Sequence, residues 1–142
     1  MRWYYMRGNI NEDALRHIID YCNEINSTIE RFGNDYGTFS KDSVFQNAVA
    51  LCVLQIGELT TNFTEDFKDT YNKMPWNQIK ALRNVVAHNY GKIDKETLWE
   101  TILNDIPQLQ EYCEGILKQS QAMLEERVSE EEEQNSSGMK LQ

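Results

Sequence analysis

The strongest constraint on the fold is the stretch VFQNAVALCVLQIGEL at residues 44–59, which as a helix is apolar on more than half of its circumference. Such a helix must be covered on several sides, because exposed apolar surface is unfavourable in water. We therefore predict a helix over residues 42–62 that is central in a bundle or partly faces another subunit. Gly57 lowers the stability of this helix by roughly 1 kcal/mol relative to alanine, which suggests a close helix–helix approach unless the glycine occurs by chance.

Three further segments have apolar residues at three- and four-residue spacing, which predicts helices over 11–32, 75–88 and 94–118. Asp94 is the expected N-cap of the last helix, which Pro107 should kink or split. The segment GNDYGTFSKD is predicted as a loop, and EDFKDTYNKM as a connector with room for one helical turn.

The composition is that of an all-α protein. Seven glycines and two prolines among 142 residues favour long helices over a turn-rich β fold. We predict an antiparallel bundle of four to five helices over residues 1–128. Residues 129–142 are acidic and lack apolar periodicity, which predicts a disordered tail. A membrane span and a signal peptide are not predicted, so the expected location is cytoplasmic.

The three cysteines, Cys22, Cys52 and Cys113, lie far apart in the sequence and lack the spacing of metal ligands. Each falls in a helical apolar pattern, which predicts buried free thiols. The sequence thus predicts neither a metal site nor any other cofactor.

Charge is distributed unevenly along the chain. The net charge of −9 argues against general nucleic-acid binding. Residues 125–142 carry a net charge of −4, whereas residues 73–95 carry +4. This basic segment surrounds the sequence RNVVAHNYG at 83–91, and a solvated helix face is the alternative explanation.

The stretch RNVVAHNYG combines a permanent cation with a proton-transfer group. On a regular helix Arg83 and His88 would point about 140° apart, so a shared site requires the helix to end after Ala87. The turn-forming sequence at 89–91 is consistent with that ending.

Arginine binds a phosphate through two parallel hydrogen bonds, and histidine moves protons near neutral pH. Together they can drive the cleavage of RNA by its own 2′-hydroxyl without a metal. The spacing alone is weak evidence. A salt bridge from Arg83 to Glu58 and a helix C-terminal role for His88 are the alternatives.

The stretch PWNQIKALRNVVAHNYGKIDKETLW at 75–99 resembles the HEPN superfamily and, within it, the HepT-type toxins. The resemblance is carried by the motif R-N-x3-H-x-Y, the upstream PW, the downstream ID and LW, and QIGE at residues 55–58. It covers residues 11–118, nearly the whole predicted bundle.

This resemblance implies a HEPN-like helical bundle that works as a homodimer, with two copies of the motif across one cleft. It also implies metal-independent cleavage of RNA, either tRNA or mRNA, and an MNT-type nucleotidyltransferase antitoxin as partner. Two basic segments in one cleft, each with a net charge of +4, would create a local positive field although the whole chain is acidic.

The resemblance assigns Arg83 and His88 as the catalytic pair. Arg83 would bind phosphate and stabilise transition-state charge, while His88 would act as general acid and base. Asn84 would orient the histidine or bind a phosphate oxygen, unless it is only a solvated polar residue. Glu58 is a supporting residue whose role is expected to be structural rather than catalytic.

Tyr90 is implied to be the acceptor of AMP from the antitoxin, with a packed turn tyrosine as the alternative. An added phosphate would repel RNA from the site. Lys80 and Lys92, both in the basic segment, are expected to bind RNA. The alternative function is a non-catalytic HEPN module that binds a nucleotidyltransferase partner.

Overall fold

The computed structural model describes residues 2–87 and 94–140, with side chains over 10–86 and 94–138. Within these ranges the chain is helical and contains no strand. The helices are α1 (Arg2–Phe32), α2 (Tyr36–Lys41), α3 (Ser43–Leu59), α4 (Glu65–Thr70), α5 (Trp76–Ala81), α6 (Arg83–Ala87), α7 (Lys95–Glu100) and α8 (Ile106–Lys140). A 3₁₀ turn follows α3, and a π-helical turn joins α7 to α8. The predicted all-α bundle is confirmed.

The apolar helix α3 lies at the centre of the bundle, against α1 on one side and α5 and α6 on another. Its inner residues Phe45, Val49, Val53 and Ile56 are fully buried. By length and composition alone, Ser43–Asn62 would suffice to cross a membrane, but half of this stretch is buried inside the protein. Packing within the protein therefore accounts for the apolar inner face, whereas Val44 and Leu51 on the outer face are exposed.

Side-chain caps fix the starts of α3 and α7 close to the predicted positions, whereas α1 begins at Arg2 and not at residue 11 as predicted. The Asp42 carboxylate accepts hydrogen bonds from the first turn of α3. Asp94 caps α7 by accepting from the Thr97 amide at 3.2 Å and its hydroxyl at 2.8 Å. These bonds hold the pKa of Asp94 below its usual range. Gly33 ends α1 with a φ of 116°, a conformation that glycine adopts without strain.

The predicted loop between α1 and α3 contains the short helix α2, so this prediction was wrong. Asp35 starts the helix by accepting from the Thr38 amide at 2.9 Å. Phe39 is fully buried, with ring centroids 5.0 Å from those of both Phe45 and Trp99. This tertiary packing overrides the turn-forming composition of the segment.

The helix predicted over 75–88 is interrupted at Leu82, which separates α5 from α6. The Leu82 amide bonds to the Ile79 carbonyl, and the Val85 amide bonds to the Leu82 carbonyl. Both are i→i+3 bonds, which tighten the chain locally as in a 3₁₀ turn. The segment over 65–74 contains α4, the helical turn for which the sequence left room.

Pro107 splits the last predicted helix. The Ile106 amide bonds to the Thr101 carbonyl, closing a π-helical turn just before the proline. Proline has no N–H to continue the regular ladder, so the wider turn absorbs the mismatch.

Helix α8 continues to Lys140, whereas the sequence predicted disorder from residue 129. Glutamate, glutamine and arginine are good helix formers, and a helix already nucleated in the bundle extends into such a sequence. Every side chain described over 118–138 is exposed. The packed part of α8 therefore ends at Leu117, which is half-buried against the core.

The three thiols are free and buried, as predicted. Cys22 lies on α1, Cys52 on α3 and Cys113 on α8. Burial raises the pKa of each to about 12. The Cys52 thiol also donates a hydrogen bond to the Glu24 carboxylate at 3.4 Å.

Candidate functional site

Arg83 is the first residue of α6 and follows the interruption at Leu82. Leu82, Val85 and Val86 pack partly buried against the core. Asn84 is exposed, whereas the side chain of Arg83 is 35% exposed. The short helix therefore packs its apolar residues inward and presents the motif arginine beside α3.

The Arg83 guanidinium forms an ion pair with Glu58 of α3. Its Nη1 atom donates a hydrogen bond to Glu58 Oε1 at 2.9 Å. This is the salt bridge that the sequence left open as an alternative for Arg83. Both side chains are partly exposed, at 35% and 52%, so the pair adds at most about 1 kcal/mol to stability. Arginine has five N–H donors, so the remaining donors are sufficient to bind an anion.

Gly57 brings the backbone of α3 into contact with the junction of α5 and α6. A Cβ at Gly57 would lie 3.1 Å from Arg83 Cβ, 3.2 Å from the Arg83 amide nitrogen and 3.2 Å from the Lys80 carbonyl oxygen. The close helix approach predicted from this glycine is confirmed. The interruption at Leu82 lies between these two contacted residues. Sequence reasoning did not connect Gly57 with Arg83, because the two residues lie in segments distant along the chain.

Of the remaining predicted site residues, the structure describes Lys80 but not those after Ala87. Lys80 is exposed, one helical turn before Arg83. His88, Tyr90 and Lys92 lie outside the described residues, so their approach to Arg83 remains a prediction. The described part of α6 runs to Ala87, so the ending after this residue that the shared site requires also stays a prediction.

A cavity of about 720 Å³ lies away from this pair, between residues 70–74 and α8. Tyr71, Lys73 and Tyr112 are among its lining residues, whereas Arg83 and Glu58 are not. The motif arginine does not line this cavity; its side chain is 35% exposed beside α3.

Comparison with known proteins identifies the family. Residues 14–116 match the family described as Ribonuclease HepT-like. The chain belongs to the HepT-like ribonucleases. The curated protein named "Putative RNase TTE0752", from Caldanaerobacter subterraneus subsp. tengcongensis, is 33% identical over 105 residues, which is 73% of this chain and 91% of the relative. "Probable ribonuclease HepT" from Thermococcus cleftensis is 32% identical over 104 residues, covering 70% of this chain and 94% of the relative. No solved structure matches.

The predicted resemblance to HepT-type HEPN proteins is therefore confirmed, and with it the interpretation as an RNA-cleaving enzyme. The matched region begins in α1 and ends at Ile116, the last fully packed turn of α8. It contains Glu58 and Arg83 and leaves out the exposed extension of α8. The family match and the buried core of this HepT-like ribonuclease thus coincide.

Proposed function

We propose that this HepT-like ribonuclease is a metal-independent endoribonuclease toxin that cleaves RNA with Arg83 and His88. The observation that supports the proposal is a partly exposed guanidinium with N–H donors to spare, held against α3 in a protein of this family. Such a group can bind the scissile phosphate through two hydrogen bonds.

The proposed reaction is an attack of the ribose 2′-oxygen on the adjacent phosphorus. The bond from phosphorus to the 5′-oxygen breaks, which leaves a 2′,3′-cyclic phosphate. His88 takes the proton of the 2′-hydroxyl and returns one to the leaving 5′-oxygen. Arg83 stabilises the charge that develops on the phosphoryl oxygens. Asn84 orients the histidine or binds a phosphate oxygen, and Glu58 supports the arginine.

The active form is proposed to be a homodimer that acts in the cytoplasm. Two basic segments in one cleft give a local positive field that a single chain of net charge −9 would not. Lys80 and Lys92 would contact the RNA backbone there. Such contacts make binding strongly dependent on salt, because RNA releases counterions when its phosphates are neutralised.

An MNT-type nucleotidyltransferase antitoxin is the proposed regulator. It would transfer AMP from ATP to the Tyr90 hydroxyl with release of pyrophosphate. The added phosphate places negative charge and bulk where RNA must bind. Incubation with such an enzyme and ATP should add one AMP per chain by intact mass, and Tyr90→Phe should prevent the addition.

The test of the nuclease is cleavage of total cellular RNA, tRNA included, by the purified protein in EDTA. We expect the wild type to cut and His88→Ala to lose the activity. His17→Ala is the matched control, because His17 is the other histidine of the chain and lies exposed on α1. If neither the wild type nor the control cuts while both are folded and unmodified by mass, the non-catalytic partner module becomes the better explanation.

A further inference from the structure

We infer that Gly57 and Glu58 of α3 are positioning residues that set the direction of the Arg83 guanidinium. This inference rests on the proposed function, in which Arg83 binds the scissile phosphate. It assigns Gly57 a role in the reaction. For Glu58 it replaces general support of the arginine by a specific role, which is to orient the guanidinium.

The described part of α6 runs from Arg83 to Ala87. A side chain in the first turn of a helix has no preceding turn of the same helix to pack against. Arg83 stands at its first position, directly after the interruption at Leu82. The direction of this side chain therefore depends on what α6 packs against.

Helix α3 supplies that support at two consecutive residues. Gly57 lets the α3 backbone contact the Cβ and the amide nitrogen of Arg83, where an added Cβ would lie at 3.1 Å and 3.2 Å. The next residue, Glu58, holds Nη1 of the guanidinium at 2.9 Å. One contact fixes the base of the side chain and the other fixes its tip.

The Glu58 carboxylate has two opposing effects on catalysis. Its negative charge lies beside the group that must bind an RNA phosphate, so it weakens RNA binding. It also keeps the guanidinium in one direction, which preserves the stabilisation of charge in the transition state. Removal of the side chain should therefore lower KM and kcat together.

Three substitutions at Glu58 separate orientation from charge. Glu58→Gln keeps the length and a carbonyl acceptor but removes the charge. Glu58→Asp keeps the charge but is one methylene shorter, and Glu58→Ala loses both properties. For a positioning role, we expect kcat of Glu58→Gln to stay within about threefold of wild type, and kcat of the other two to fall by about tenfold or more.

Other roles predict other orders of activity. If Glu58 acted only through its charge, Glu58→Gln and Glu58→Ala would behave alike. If it were only structural, kcat would be unchanged wherever the protein is folded. Either result would overturn the inference. The matched control is Glu65→Ala, which breaks the partly exposed ion pair with Lys68 at 3.2 Å and should not affect kcat.

Gly57→Ala tests the contact at the base of the arginine. The new methyl group would press on the α6 backbone, and a displacement of Arg83 by a few tenths of an ångström should lower kcat by roughly tenfold with little change in KM. Gly115→Ala on α8 is the matched control, because nothing lies within 4 Å of its added Cβ. Equal activity of the two variants would contradict the role of Gly57.

A readout without RNA separates this inference from the proposed function. The side-chain NMR signals of Arg83 can be assigned by their loss in Arg83→Lys. Restricted rotation of the guanidinium should be seen in the wild type and in Glu58→Gln and be lost in Glu58→Ala. If the wild type does not cut RNA, the proposed function fails, while these signals still decide whether Glu58 holds the arginine. Free rotation in the wild type would refute the positioning.

Discussion

The region where α1, α3 and α8 pack together and the segment formed by α5 and α6 are built differently. The first joins helices of 31, 17 and 35 residues and contains fully buried side chains such as Ile18, Val53 and Leu109. The second consists of the six-residue helix α5 and of α6, described over Arg83–Ala87, and its motif arginine is one-third exposed. The fully buried side chains therefore lie mainly in the first region and the proposed chemistry in the second, which adds Trp76 and Ile79 of α5 to the core. The two regions meet at Gly57.

This division has a physical reason. A cation that must bind phosphate has to stay accessible to RNA, so it contributes little burial of its own. Its support comes instead from the neighbouring α3, whose inner face is fixed in the core. Stability and activity should accordingly respond to different substitutions.

The largest expected effect is on stability, from Phe45→Ala in the core. Phe45 is fully buried, and its ring lies 5.0 Å from those of Phe32 and Phe39. Its loss should lower the free energy of unfolding by about 3–5 kcal/mol. Arg83→Ala should lower it by less than about 1 kcal/mol, because the ion pair is exposed. Urea denaturation of both variants checks this contrast, and equal losses would refute the division into two regions.

An intermediate loss of folding stability is expected at alkaline pH, and it should arise from the buried thiols of the core. The pKa of each thiol is about 12 in the folded protein and lower when unfolded, so only the unfolded state loses these protons above about pH 9. Stability should be fully present below that pH and fall as pH rises towards 12. At pH 10 the loss should be on the order of 1 kcal/mol per thiol.

Denaturation midpoints measured from pH 8 to pH 10.5 provide the check. Cys113→Ala, which removes one buried thiol, is the comparison and should show a shallower decline. If its slope equals that of the wild type, the thiols do not cause the pH dependence.

The smallest expected effect comes from deletion of residues 129–142. The described side chains of this segment are exposed, so the free energy of unfolding should change by less than about 0.5 kcal/mol. RNA cleavage should also persist, while the helical signal in circular dichroism decreases. Deletion from residue 112 onward is the contrasting variant, because it removes the buried Cys113 and Ile116 and should prevent folding. If deletion of residues 129–142 caused a large loss of stability, the extension would belong with the region where α1, α3 and α8 pack together.

The sequence predicted the parts of the fold that repeat. Long apolar stripes over 11–32 and 42–62 were sufficient for α3 and for α1 from residue 11 onward, although α1 begins at Arg2. Burial of a periodic face dominates helix formation. Local signals were sufficient to predict the start of α7 at Asp94 and the split of the last helix at Pro107. The N-cap and the missing N–H each act within a few residues. The ion pair of Arg83 with Glu58 was anticipated as an alternative to its role in the site.

What the sequence did not predict depends on contacts between distant segments. Helix α2 forms because Phe39 is buried among aromatic rings from α3 and α7. The interruption at Leu82 lies where α3 crosses at Gly57, 25 residues away in the chain. Such features are invisible to periodicity and capping, which describe one segment at a time.

The burial of all three native cysteines has a practical consequence for labelling. At neutral pH almost none of these thiols is ionised, so alkylating dyes should react with them slowly in the folded protein. A cysteine introduced on the outer face of α3 as Leu51→Cys, at a position that is 55% exposed, would then take up the dye selectively. Spectroscopic probes can thus be attached without first removing a native side chain from the core.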